Sequence, residues 1–239
     1  MSGDAGLRAL AAAARQAAEG LEVTVRDRSG GGLPASEVLE AFGQALALLE
    51  RLEDPDRARA EREALENLAA QAAQLLEALA LAARAAGRGG DAAVLETLQV
   101  PLALWVATRG GRLRELAPAV NGCARLANGL REPDVLGELA DTMERIAAAV
   151  DPAVRGAPDA AQPGHPWRTL LVNRAIVATR SHDPGRMERA FAGLAAALPE
   201  AAPGFFAEGM REMDRLGYPP HVREVMERWH ARHAGTGLH

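Results

Sequence analysis

The chain has 239 residues and contains no lysine, since all 27 of its basic residues are arginine. Such a bias is typical of a protein from a GC-rich bacterial genome. It excludes a phosphate-binding P-loop, a pyridoxal Schiff base and a protein kinase, because each of these sites depends on a lysine amine.

Cysteine and long apolar runs are also scarce. The single cysteine, Cys123, is predicted to be a small core residue, and it excludes an internal disulfide and favours a reducing compartment. The start at Met1–Asp4 lacks the basic segment of a signal peptide. The longest apolar run, Val100–Thr108, is far shorter than the roughly 20 residues that span a bilayer. We therefore expect a cytoplasmic protein with no membrane partner.

Aromatic residues make up only 3% of the chain, whereas Ala and Leu dominate it. This composition favours helix over strand and predicts an all-α fold. The net charge is −5, and residues 160–239 carry ten Arg against eight acidic residues. Such a mild basic excess lacks the concentrated positive charge of a nucleic-acid-binding domain, so no nucleic-acid partner is expected.

Residues 1–90 have the pattern of a helical bundle or a coiled coil. A short stretch at Glu22–Asp27 has strand character, and Gly30–Gly32 then breaks the chain. The helix predicted from Pro55 to Gly87 has a heptad seam of Leu65, Leu68, Ala72, Leu75, Leu79, Ala82 and Ala86. This seam either packs antiparallel on neighbouring helices of the same chain or forms a homodimer.

From residue 91 onward the chain contains an internal repeat. Val106–Arg109 and Val177–Arg180 both read VATR, and a turn and a second helix follow each of them. A third pair of matching blocks begins at Met143 and at Met213, and the offsets between the two copies lie between 70 and 74 residues. A shared order of three matching blocks predicts duplicated helical hairpins. The helices of this region are predicted over Ala92–Arg109 (with a kink at Pro101), Arg112–Asn128, 133 to about 150, Trp167–Arg180, Pro184–Leu198, Pro203–Leu216 and Pro219–Ala234.

Four segments follow from these patterns. We predict a helical bundle or coiled-coil-prone region over 1–90 and a first helical repeat over 91–150. A linker or flexible loop rich in Pro, Ala and Gly is predicted over 151–166, and a second helical repeat over 167–239.

The stretch Asn173–Pro199 has a first helix of small and apolar residues, a tight turn at His182–Pro184, and a second helix that contains Ala190-Phe191. It resembles a tetratricopeptide unit, although the Gly-Tyr spacing of the first helix is absent. The resemblance extends over residues 91–234 at most. It implies an array of antiparallel hairpins whose concave face binds a peptide or another protein.

Four polar residues are candidates for such a face. Asn173 and Arg174 interrupt an otherwise apolar helix, and because an unpaired buried Arg is unfavourable, Arg174 must either pair with an acid or line a cleft. Arg109 and Arg180 end equivalent helices. Together with Arg174 they are predicted to present a positive surface to an acidic peptide or a carboxylate.

Most aromatic residues of the C-terminal region are predicted to lie in the core. Two of them, Trp167 and Trp229, stand at the ends of helices, where a tryptophan is well placed to anchor an interface. We therefore include both among the predicted partner-binding residues.

Two other patterns are weaker. Ser181-His182-Asp183 spells a catalytic triad, but three consecutive residues cannot converge on a substrate, and Asp183 is more simply a helix N-cap. His230 and His233 share a helix face, but a metal ion would need further ligands from His221, Glu227 or His239. We predict no catalytic residue, no metal and no cofactor.

These observations together predict an interaction module or adaptor that binds a protein segment in a groove of the helical array, with a possible homodimer formed by its N-terminal region. Two alternatives remain open. One is an all-α enzyme or small-molecule-binding regulator with a pocket around Asn173, Arg174 and Arg180, and the other is a purely structural bundle.

Overall fold

The computed structural model describes residues 6–26 and 32–234 of the chain. Thirteen helices and two short strands make up the regular structure of this part, so the prediction of a mostly helical fold is confirmed. No helix in the described ranges combines the length and the apolar character that crossing a membrane requires. The predicted glycine break at Gly30-Gly31, the start Met1–Asp4 and the candidate ligand His239 lie outside the described residues.

The described residues form two compact units. The N-terminal unit comprises the described residues up to Asn128 together with Ala148–Ala153, and the C-terminal unit comprises Gly129–Ala147 and the described residues from Val154 onward. Each unit has its own buried core.

The N-terminal unit contains a strand hairpin and the first seven helices, apart from the last residue of the seventh. Its elements, in chain order, are α1 (Leu7–Ala18), β1 (Thr24–Arg26), β2 (Gly32–Pro34), α2 (Ala35–Glu50), α3 (Pro55–Ala60), α4 (Arg62–Ala85), α5 (Gly89–Thr97), α6 (Gln99–Thr108) and α7 (Ala117–Gly129). Strand β1 lies within the stretch predicted to have strand character, and it pairs antiparallel with β2, which the sequence did not predict. Because α5 packs on α4 and on α1, the predicted boundary after residue 90 does not separate the two units.

The long helix α4 lies at the centre of this unit, in contact with α2, α5 and α6. Three residues of the predicted seam, Leu65, Ala72 and Leu79, are fully buried. Leu76, which the seam omitted, is fully buried as well, whereas Ala86 is exposed. The seam therefore packs on helices of the same chain, and a homodimer stays a prediction.

Two helices predicted as continuous are divided. The helix that starts at Asp54, whose carboxylate accepts hydrogen bonds from two backbone N–H groups, breaks at Glu61. The helix predicted over Ala92–Arg109 is divided at Leu98, between α5 and α6. We attribute this division to Pro101, because proline has no N–H to donate to the carbonyl of Thr97 and its ring crowds that carbonyl.

The helix predicted over Arg112–Asn128 begins only at Ala117, because the preceding residues bind elsewhere. The backbone N–H of Arg112 donates to the buried carboxylate of Glu66 at 3.0 Å. Leu113 forms a parallel bridge with Val150. These partners hold the chain in an extended conformation before α7.

The C-terminal unit is built mainly from paired helices. Its elements are α8 (Pro133–Ala149), whose last two residues belong to the N-terminal unit, and α10 (Pro166–Arg180), α11 (Pro184–Ala197), α12 (Ala202–Leu216) and α13 (Pro220–His233). The predicted linker 151–166 contains one short helix, α9 (Pro152–Arg155). Helix α10 packs on α11, α12 packs on α13, and α11 also contacts α13.

Local signals explain where these helices start and stop. Proline lies in the first turn of all four helices from α10 to α13, where its missing N–H leaves no hydrogen bond unmade. The Asp183 carboxylate caps α11 by accepting from the N–H of Arg186 at 2.9 Å, as predicted. Gly217 ends α12 with φ of 65°, a left-handed conformation that glycine adopts without steric cost.

Candidate functional site

An open groove of about 1120 Å³ lies in the C-terminal unit. Helix α10 lines one wall and α12 lines the other. The end of α11, the residues that follow it and part of the loop before α10 also line the groove. The groove lies inside one compact unit.

The two walls are joined near their carboxyl ends. His182 lies two residues after the end of α10 and Tyr218 two residues after the end of α12, and their rings meet edge to face with centroids 5.6 Å apart. The ring Nε2 of His221 lies 3.1 Å from the backbone oxygen of His182. These contacts join the carboxyl ends of α10 and α12, and residues along both helices line the groove, so the first helices of two successive hairpins face each other across it.

Apolar side chains in the groove are exposed to solvent. Ile176 on α10 is 45% exposed and Leu216 on α12 is 52% exposed, although both are large aliphatic residues. Val172, one turn before Ile176, and Phe205 on α12 are half-buried. Apolar residues grouped on one concave surface are typical of a binding site, whereas single exposed ones carry no such meaning.

The α10 wall follows a simple sequence pattern. Arg168, Val172, Ile176 and Arg180 are four residues apart, so they lie along one face of the helix. The two arginines stand at the ends of this row, with the two aliphatic residues between them. The guanidinium of Arg168 donates to the carbonyl of Ala161 at 2.9 Å, which positions it at the edge of the groove.

The opposite wall is acidic. Glu208 and Glu212 on α12 line the groove, and Glu200 lies just before that helix. Glu208 pairs with Arg211, and Glu212 lies 2.6 Å from the Arg215 guanidinium. Each arginine lies three residues after its glutamate on the same helix. The charged groups that line the groove are thus segregated, with arginines on one wall and glutamates on the other.

Arg180 is the predicted partner-binding residue that lines this groove. Its guanidinium donates to the carbonyl of Leu130 at 2.8 Å, so its position is fixed by the loop before α8. Nearby, burial raises the pKa of the Tyr218 hydroxyl, which keeps it protonated and able to donate a hydrogen bond. This end of the groove therefore offers both a positive charge and a hydroxyl.

Arg174 lies elsewhere in the same unit and is buried. Its guanidinium is 2.8 Å from the Glu144 carboxylate on α8, so it is paired with an acid, one of the two arrangements that the sequence allows. Burial lowers the pKa of this guanidinium, and the charge of Glu144 opposes that effect. Asn173 is half-buried, and neither it nor Arg174 lines the groove.

Arg109, the third arginine of the predicted positive surface, belongs to the N-terminal unit. Its guanidinium carbon lies 4.0 Å from the centre of the Trp105 ring, a cation–π contact. The same guanidinium is 3.7 Å from the Glu53 carboxylate. Since Arg174 and Arg180 belong to the other unit, the three arginines do not form one surface within either unit.

The two predicted tryptophan anchors are both packed inside the C-terminal unit, with 8% of each residue exposed. The indole N–H of Trp229 donates to Glu188 at 2.6 Å. Its ring stacks against Phe206 at 5.5 Å and against His233 at 5.7 Å. The backbone N–H of Trp167 donates to the ring of His165 at 3.2 Å.

The two weaker sequence patterns are Ser181-His182-Asp183 and the pair His230 and His233, and side chains from both contact different backbone groups. The Ser181 hydroxyl donates to the carbonyl of Ala178 at 2.7 Å, and the Asp183 carboxylate caps α11. The ring of His233 lies 2.8 Å from the carbonyl of Trp229. Within residues 6–26 and 32–234 there is no group of three His, Cys, Asp or Glu side chains arranged to hold a metal ion.

The groove-lining residues Val172, Ile176 and Leu216 were missed by the sequence reasoning. A signal for two of them was present, because the row from Arg168 to Arg180 gives α10 a second apolar face beside its buried one. Leu216 carried no comparable signal, since its exposure depends on how α12 packs against its neighbours.

A comparison of the chain with models of known protein families, with curated proteins and with solved structures finds no match.

Proposed function

We propose that this protein is an interaction module that binds a segment of a partner protein in the groove between α10 and α12. The observation that carries the proposal is the exposure of Ile176 and Leu216 on the facing walls of one open groove. Burying such aliphatic side chains against a partner contributes about 25 cal/mol per Å² of apolar surface removed from water, before the entropic costs of association.

In this proposal the helices α10 to α13 form a tetratricopeptide-like array. Two successive hairpins support this view, since their second helices α11 and α13 are in contact and their first helices face each other across the groove. Peptide-binding arrays of that kind use the concave face made by the first helix of each hairpin. The proposed adaptor works in the bacterial cytoplasm, which suits a chain whose single cysteine is buried and free.

Self-association of the N-terminal unit is a separate part of the proposal. Leu81 on α4 and Val94 on α5 are exposed by 58% and 44%, and these two helices pack on each other. Sedimentation of the full chain tests this part. A dimer that dissociates in a Leu81→Glu variant supports it, and a monomer at all concentrations contradicts it.

A small-molecule regulator is the second candidate, and the apolar lining of the groove favours it. Pockets for small ligands have volumes of about 300–1000 Å³ and enclose most of the ligand. The groove here slightly exceeds that range, and it is open along one side. We therefore favour a polypeptide segment as its occupant.

Selection from a displayed library of fragments of the source proteome tests the leading proposal. Fragments that bind the full chain should lose binding to an Ile176→Arg variant, because a charge in the centre of the groove would have to be desolvated. Leu48→Arg is the matched control, since Leu48 on α2 is 44% exposed, almost the same as Ile176, but lies in the N-terminal unit. Equal binding to both variants would overturn the proposal.

The same variants distinguish a small-molecule occupant of the groove from a polypeptide segment. Native mass spectrometry of the full chain should show the mass of the polypeptide alone if the occupant is a partner protein. A retained small molecule that is lost in Ile176→Arg, with no fragment selected, would replace the leading proposal with the second.

A further inference from the structure

The segregation of charge across the groove identifies the chemistry of its occupant. We infer that the bound segment is an amphipathic helix with acidic side chains on the flank that faces α10 and basic side chains on the flank that faces α12. This inference rests on the proposed function, because it describes the segment that the groove would take.

The backbone of the groove walls explains why the occupant is helical. Both walls are helices, whose N–H and C=O groups are used within the helices themselves. An extended peptide would find no strand edge to pair with, and its own polar backbone would be placed against apolar side chains. A helix satisfies its backbone internally and presents only side chains to the groove.

The length of the groove sets the length of the helix. Arg168 and Arg180 are twelve residues apart on α10, which corresponds to about 18 Å along a helix axis. A partner helix of about 12 residues, or three turns, covers this distance. Val172 and Ile176 lie between the two arginines, so the apolar face of the partner would pack at the middle of the groove and its charges at the edges.

The charges on each wall set the orientation of the flanks. Arg168 and Arg180 favour carboxylates beside α10, whereas Glu208 and Glu212 favour arginine or lysine beside α12. Glu208 and Glu212 are already paired with Arg211 and Arg215 on their own helix. Exposed pairs of this kind are worth little, so a partner cation can share or replace them. A helix that lay in the groove in the reverse chain direction would place like charges together along both walls, so the charges also select the direction in which a given segment binds.

A helix-patterned peptide library tests the inference on the full chain. Peptides of about 15 residues would carry Leu, Ile, Phe or Met at helical spacing, with the flanking positions drawn from Glu, Arg and Ser. Selected peptides should carry Glu on one flank and Arg on the other. Their binding should be lost in Ile176→Arg and persist in Leu48→Arg, the control in the N-terminal unit.

Charge reversal assigns each flank to a wall. Arg168→Glu should weaken a selected peptide by about two- to fivefold, the range for one exposed ion pair. A peptide in which the facing Glu is changed to Arg should recover that loss. Arg145→Glu is the matched control, because it makes the same charge change on α8, which contributes no side chain to the groove.

The outcomes separate this inference from the proposed function. Peptides that depend on Ile176 but show mixed charges on both flanks overturn the inference and leave the groove as a binding site. A selected peptide that tolerates proline at its central position overturns the helical occupant. A selection that yields no Ile176-dependent peptide overturns the inference alone, because the fragment selection tests the proposed function separately.

Discussion

The guanidinium of Arg174 lies 2.8 Å from the carboxylate of Glu144, and the two residues differ sharply in exposure. The side chain of Arg174 is 8% exposed, whereas that of Glu144 is 39% exposed. If Arg174 is removed, water can solvate the Glu144 carboxylate. If Glu144 is removed, water cannot reach the buried Arg174 guanidinium to solvate it. This asymmetry makes the two halves of the ion pair unequal for stability.

We expect Glu144→Gln to be more destabilising than Arg174→Met. The first change leaves a buried guanidinium without its counter-charge and should lower the free energy of unfolding by about 2 kcal/mol. The second replaces a buried cation with an apolar side chain of similar length and should cost less than about 1 kcal/mol. Urea unfolding followed by far-ultraviolet circular dichroism measures both. A larger loss for Arg174→Met would contradict the asymmetry.

The acid limb of the stability curve should depend on Asp141. Burial alone would raise the pKa of this carboxyl, but hydrogen bonds and charge from Arg186 and Arg189 hold it below its ordinary value. A lowered pKa in the folded state contributes stability above the ordinary carboxyl pKa, and this contribution is lost as the pH falls through the lowered value. Asp141→Asn should therefore cost about 1 kcal/mol near neutral pH and progressively less below about pH 4.

Unfolding midpoints of the two proteins between about pH 7 and pH 3 provide the measurement. The exposed Glu224 supplies the control, and Glu224→Gln should lower stability by less than Asp141→Asn at neutral pH. If the difference between wild type and Asp141→Asn stayed constant down to the lowest pH, the ion pairs of Asp141 would not be the cause.

Two helical glycines should respond to alanine in opposite directions. A Cβ atom at Gly122 in α7 would lie 2.7 Å from the carbonyl oxygen of Glu96, so we expect Gly122→Ala to cost about 1–3 kcal/mol. A Cβ at Gly43 in α2 would meet nothing within 4 Å, so Gly43→Ala should add about 0.5–1 kcal/mol. Thermal or urea unfolding of both variants checks the pair. A stabilising Gly122→Ala would show that α5 and α7 are less closely packed.

Cys123 should be inert towards thiol reagents in the folded protein. It is fully buried, and burial raises the pKa of its thiol to about 12, so little of the reactive thiolate is present. An aromatic disulfide reagent at about pH 8 should release no chromophore from the native chain and one equivalent after urea is added. Rapid reaction of the native protein would contradict the buried position.

Much of the fold was predictable because helix signals are local. The alanine and leucine content, the Asp54 and Asp183 caps and the proline starts act within a few residues of the chain, so the sequence predicts α10 to α13 to within one or two residues. Where distant partners intervene, the local pattern fails. Arg112 illustrates this, since its binding to Glu66 on α4 delays the start of α7.

The candidate site was less predictable, because its location depends on which sides of neighbouring helices remain uncovered. The sequence drew attention to Arg174 as a polar residue on an apolar helix, and it left open whether an acid or a cleft receives it. The tertiary structure brings Glu144 to it from α8, a helix that ends well before α10 begins. It leaves Ile176 exposed only two residues further along the same helix.

The absence of lysine, the single cysteine and the scarcity of aromatic residues are properties of the sequence alone, and they exclude lysine-dependent chemistry and an internal disulfide whatever the fold. Helix composition and capping are likewise local, so the sequence determines that the chain is mostly helical. The pairing of Arg174 and the placement of α10 and α12 on either side of the groove depend on contacts between residues far apart in the chain. Only the tertiary structure decides those contacts, because burial is a property of the packed helices together.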